Sequence, residues 1–235
     1  MCDLNNRVGI GAATMATRRY VVECGPDQIR AAFAEIVKLC VSNGIPDVEL
    51  VVPKKGGWEN NNVAQFIGPD RTKTLSQGMP VALGQGVTMT LQSAKTFRGH
   101  TFEGMLVGAH ISLKDMSKLD GSYSQAIVYL PWTDAEGQEW QATWNAQTIG
   151  PETWKSSAKL LPPAVEEALS SLTRLINLGT GLDHRSDKEH VERAIAKMRA
   201  EGHSLDATEI RRWAQRHGWS SGAASDLEKV VRNQR

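Results

Sequence analysis

Two segments hold the residue types from which a site could be built. Lys54-Lys55-Gly56-Gly57-Trp58-Glu59-Asn60-Asn61-Asn62 gathers two lysines, two glycines, an indole and three asparagines just after a β-rich run. Lysines attract an anion, Trp58 offers a stacking surface, and Asn60 supplies a hydrogen-bonding amide. The second segment, Phe97-Arg98-Gly99-His100-Thr101-Phe102-Glu103-Gly104, offers His100 and Glu103 as an acid/base pair, with Arg98 to orient an anion. The expected ligand contacts are therefore Lys54, Lys55, Trp58, Asn60 and Arg98. His100 and Glu103 are the expected catalytic pair if the chain is an enzyme. His110 would complete a His/Glu/His set, but the spacing matches no metal motif, so neither a metal nor a cofactor is expected.

Other chemistries find no support. Cys24-Gly25-Pro26-Asp27 follows a strand-like run without GxGxxG or GxxxxGK[ST], and Asp27 at a helix start repels phosphate. Gly9-Ile10-Gly11-Ala12-Ala13 has no strand before it, and Gly84-Gln85-Gly86 reads as a turn. Pro46-Asp47-Val48-Glu49 begins like a nuclease signature, yet Leu50 and Val51 stand where its lysine is needed. No GxSxG is present. Cys2, Cys24 and Cys40 form no CxxC pair; Cys40 falls on an apolar helix stripe, and Cys24 ends a strand, the better place for a reactive thiol. Trp132, Trp140, Trp144 and Trp154 read as packing residues.

The elements that must position these residues follow from periodicity. Ile29, Phe33, Ile36 and Cys40 mark a helix opened by Pro26 and closed at Gly44. Val87, Met89 and Leu91 alternate with polar residues, as in a half-exposed strand. Residues 105–109 and 126–130 are continuous apolar runs, as in strands covered on both faces. Ser112/Asp115 and Thr133/Glu136 have helix-start spacing. Strand and helix alternate through residues 18–155, which predicts an α/β fold: a three-layer sheet with helices on both faces. A helix over residues 162–178 would cover that sheet or bridge to the tail. Three short helices follow, with Ser186/Glu189 and Asp206/Glu209 as the first two starts. The expected division is a leader over 1–17, an α/β domain over 18–180 and a small three-helix module over 187–235.

The 235 residues carry a net charge of +1, but the balance is uneven. Residues 1–183 hold 16 Lys+Arg against 18 Asp+Glu, and residues 184–235 hold 11 against 8. A basic tail suits an acidic partner. Trp213-Ala214-Gln215-Arg216-His217-Gly218-Trp219, with Ala224 and Leu227, resembles a helix-turn-helix: a small residue in the first helix, glycine in the turn, then apolar locking positions. The segment Ile210–Gly218 also resembles the DNA-binding module of actinobacterial xenogeneic silencers. That resemblance implies nucleic-acid contact, and Arg211, Arg212, Arg216, Lys229 and Arg232 are the residues that would touch phosphate or a partner. Gly222 and Asp226 occupy the second helix, where base-reading side chains would be wanted.

No apolar run approaches the ~20 residues of a membrane span, and no signal-peptide pattern opens the chain, so no membrane contact and a cytoplasmic location are expected. The reading is a ligand- or partner-binding regulatory protein with a helical interaction module. Its partner would be a protein or a second copy, with nucleic acid as a further class. The competing reading is an enzyme acting on a nucleotide-like or phosphorylated substrate through loops 54–62 and 97–104.

Overall fold

In the computed structural model, which describes residues 17–98, 102–150, 154, 159–178 and 181–234, seven strands form one mixed sheet. They are β1 (Arg18–Val22), β2 (Asp47–Val52), β3 (Val81–Gly84), β4 (Val87–Ser93), β5 (Met105–Ala109), β6 (Ala126–Leu130) and β7 (Gln147–Ile149), in the order β3-β4-β2-β5-β6-β1-β7. All pairings are parallel except β3 with β4. That pair is a hairpin turned by Gln85 and Gly86, both at positive φ (52° and 80°), the geometry that matches strand twist.

Helices cover both faces. Tyr20, Val22, Val48, Leu50 and Val52 pack toward α1 (Pro26–Asn43), α2 (Asn62–Ile67) and α3 (Pro69–Ser76). Val21, Val51, Leu106, Ile127 and Tyr129 point the other way, to α4 (Leu113–Asp120) and α5 (Asp134–Trp144). Successive strand residues serve opposite cores, which is why the central runs are apolar without alternation. α1 ends where Gly44 turns left-handed at φ 65°. Ser112 and Thr133 cap α4 and α5 by accepting from the Asp115 and Glu136 amides.

The C-terminal helices are α6 (Pro163–Leu175), α7 (Arg185–Ala200), α8 (Ala207–Arg216) and α9 (Ser221–Asn233). α6 does not cover the sheet. Its Val165, Leu169 and Leu172 share a core with Val191, Ile195, Trp213, Ala224 and Leu227, so four helices, not three, make the module. The core begins at Leu161, ahead of the glycine-rich segment that composition marks as a linker. Gly181 in that segment is buried at φ 62°, and a Cβ there would stand 2.8 Å from that of Ala223. The helix-turn-helix physics is present: Ala214 is buried, Gly218 is at φ 86°, and the Trp219 amide donates to Ala214 O at 3.0 Å. Asp206 caps α8, but Ser186 caps nothing, because α7 starts one residue earlier at Arg185.

No helix among the described residues is long and apolar enough to cross a membrane.

Candidate functional site

The two segments singled out by composition end at opposite edges of the sheet. β4 and β5 are parallel with β2 between them, so 97–104 is a crossover running back to the start of β5, not a hairpin. Glu103 sits at the amino edge, its carbonyl accepting from Gln125 Nε2 at 2.8 Å. Lys54 follows Val52 at the carboxyl edge, one six-residue strand away, roughly 17 Å. Glu103 is therefore an edge away from Lys54, whereas Phe97 and Arg98, which follow β4 beside β2, leave from the same edge as Lys54. His100 lies outside the described residues. Arg98 is exposed and donates to Lys95 O.

The first segment does border a cavity of about 660 Å³, where Lys55, Gly56 and Glu59 face α2 and α3. Trp58 is not its stacking surface. The indole is buried in the core, and its Nε1 donates to Ser76 Oγ at 2.9 Å. Lys54 and Asn60 are exposed, and the Asn60 carbonyl accepts from Gln65. Cys24 is exposed, but burial of its thiol and the neighbouring Asp134 push it up to about 11, which argues against a reactive thiolate. Among the described residues, no group of three His, Cys, Asp or Glu could hold a metal.

The most developed site was not anticipated from sequence. A cleft of about 700 Å³ opens between the amino edge of the sheet and the helical module. Arg19 from β1, Asp120 from the end of α4, and Trp140 and Trp144 from α5 form its floor. Asp120 is a hub. Its carboxylate accepts from Arg19 Nε at 3.2 Å and from the Trp140 and Trp144 indole N–H groups, both at 3.0 Å. The Arg19 guanidinium lies 3.9 Å over the Trp144 ring. Burial pushes the Asp120 carboxyl up to about 6, against the opposing pull of Arg19 and the two indoles.

The opposite wall belongs to α8 and the start of α9. Arg212 and Arg211 both reach Glu139 of α5 at 2.6 Å, and Arg211 also pairs with Glu228 at 2.9 Å. Arg212 holds buried Glu209 at 2.6 Å, and Arg216 donates to Thr143 O at 3.1 Å. Burial raises the Glu139 carboxyl, but hydrogen bonds from Arg212 and Arg211 outweigh it and hold the group below its usual range. Thus the three arginines expected to touch phosphate or a partner are directed at α5 within the chain. A helix face too polar for a core buries itself by meeting a carboxylate. Lys229 and Arg232 stay exposed, paired with Asp226 and Glu228 of their own helix.

Around the cleft, four guanidiniums (Arg19, Arg211, Arg212, Arg216) meet four carboxylates (Asp120, Glu139, Glu209, Glu228), and Arg216 donates to a carbonyl, that of Thr143. Desolvation lowers the Arg216 pKa, the mark of a cation held partly out of water. Tyr123, 74 % exposed, stands at the rim. Only local pattern was available before folding. Arg19, Asp120 and Trp144 are 24 to 125 residues apart, and nothing in their spacing announces a cluster.

Residues 161–234 match a family model described as a domain of unknown function, DUF1889. The matched stretch coincides with the four-helix core, which starts at Leu161. No curated protein and no solved structure matches the chain.

Proposed function

We propose that this is a ligand-binding regulatory protein whose cleft between sheet and helical module holds a small aromatic acid. The observation that carries the reading is the composition of one cleft: about 700 Å³, indoles in its floor, and guanidiniums on both sides, of which Arg216 donates to a carbonyl. That volume lies within the range of small-molecule sites, which favour junctions between domains. A guanidinium fork receives a carboxylate in two parallel hydrogen bonds. Trp144 and Tyr123 supply aromatic surface for the ring. Because both walls contribute, an occupant stabilises the docked module, and docking becomes the readout of occupancy.

The test is calorimetric titration with aromatic carboxylates from benzoate to indole-3-acetate at low ionic strength. The wild type binds at least one of them and melts at higher temperature with it. Arg216→Gln and Tyr123→Ala lose the effect while keeping the fold. Failure of the whole series to bind, or binding that survives both substitutions, refutes the reading.

A further inference from the structure

We infer that the carboxyl edge of the sheet carries a second, separate site for the base of a nucleoside, with Trp132 as its stacking surface and His110 as its polar contact. The topology favours this edge. Chain leaving β1 and β2 turns to the α1–α3 face, whereas chain leaving β5 and β6 turns to the α4–α5 face. The turn direction therefore reverses between β2 and β5 and between β6 and β1, the switch points at which open α/β sheets receive ligands. His110 and Trp132 stand at the ends of β5 and β6, between the two.

His110 is an unexplained group. It is 6 % exposed, and its Nδ1 is buried with no hydrogen-bond partner among the described residues. Buried polar atoms are rarely left so, and one that is calls for a missing partner. The residue also adopts φ 54°, a left-handed conformation uncommon outside glycine, in which Asn, Asp and His are the side chains most often found. Its backbone is tied to β6 through a 2.8 Å bond to Leu130 O, so the ring is held in place at the crest. Desolvation lowers its pKa, so the imidazole is neutral, with one nitrogen donating and the other accepting. That matches the mixed edge of a nucleobase.

Trp132 supplies the second half. Its ring lies 4.4 Å from the imidazole at 26°, yet the residue is 58 % exposed. Such an indole moves aside readily. A base that displaces the indole from the imidazole stacks on Trp132 and turns its edge toward His110, bringing a partner to Nδ1. The charge nearby selects among ligands. Asp134 and Glu136 stand two and four residues after Trp132, and Asp134 Oδ1 accepts from the Cys24 amide at 3.3 Å. Lys54 lies at the end of β2, on the far side of β5 from Trp132. Carboxylates beside the stacking surface suit sugar hydroxyls and oppose a phosphate.

The experiment titrates the full chain with adenosine, guanosine, cytidine and uridine, followed by calorimetry and indole fluorescence. At least one nucleoside binds saturably. Trp132→Ala weakens it by about tenfold or more, the scale of one base–aromatic stack. His110→Asn, whose side chain tolerates the left-handed backbone, weakens it comparably. The matching 5′-monophosphate binds more weakly than the nucleoside, and Arg216→Gln in the cleft changes nothing. If His110→Asn does not fold, Trp132→Ala, at an exposed position, decides alone. Absence of saturable binding for all four at millimolar concentration overturns the inference. So does binding that both folded variants retain, or a monophosphate that binds more tightly.

Discussion

At the scale of single residues, Asp120 shows how a carboxylate can organise a surface and still cost stability. It joins two indoles and a guanidinium, but burial leaves its folded pKa at about 6, above the ordinary value of 3.8. A raised carboxyl pKa means that the folded state binds more protons than the unfolded state between these values. Stability therefore falls as pH rises from about 4 to about 6, then stays lower by roughly 3 kcal/mol. Asp120→Asn removes that dependence. Urea unfolding at pH 4.5 and 7 is expected to show a loss in the wild type and a smaller loss in the variant. Gly181 makes a different point. Its left-handed φ and the 2.8 Å approach to Ala223 leave no room for a side chain, so Gly181→Ala costs about 1–3 kcal/mol. The change should appear in a denaturant midpoint, and an unchanged midpoint would mean that the segment does not pack on α9.

At the scale of elements, α8 is a helix whose polar face has been given an internal partner. Arg211, Arg212 and Arg216 meet α5 through Glu139 and the Thr143 carbonyl, not solvent. Glu139→Gln removes the charge that two guanidiniums share and weakens docking by about 1–3 kcal/mol. Because Glu139 titrates below its usual range, its contribution is present above the ordinary glutamate pKa and is lost as pH falls through the depressed value. The radius of gyration from small-angle scattering should therefore rise in Glu139→Gln, and in the wild type on acidification. The four-helix core, which contains none of these charges, should keep its helical circular dichroism. An anionic polymer reaches the same arginines only after undocking, so heparin binding measured at low salt is expected to be stronger in Glu139→Gln than in the wild type.

At the scale of the whole molecule, two hydrophobic cores flank one sheet, and a third belongs to the helical module. The junction between sheet and module is mostly polar: ion pairs, a backbone carbonyl and a cleft. Such a junction is weaker than a core and can respond to a ligand, which is the physical basis of the proposed regulation. Its two candidate sites lie at opposite edges of the sheet. Substitutions at Arg216 and Trp132 should therefore act additively in a double variant, as expected for separated positions. Thermal melts of the single and double variants would check this.

Much of this architecture is written locally. The apolar runs of β5 and β6, the stripe of α1, the Ser112, Thr133 and Asp206 caps and the Gly218 turn each depend on neighbours a few residues away, so the sequence alone places them. β7 and the α3–β3 segment escaped notice because three strand residues, or a short helix between Gly68 and Gly78, carry too little periodicity. Chemistry was legible only as residue type. Trp58 looked like a ligand surface and became core, while Trp132 looked like core and stands exposed, because a side chain's face depends on which crossovers cover it. The arginines of α8 were visible as charge, but their partner Glu139 lies about seventy residues away in another element. Tertiary structure alone decided that meeting, together with the burial of Asp120 and of a His110 nitrogen that has no partner among the described residues, because desolvation is a property of the assembled neighbourhood and not of any stretch of chain.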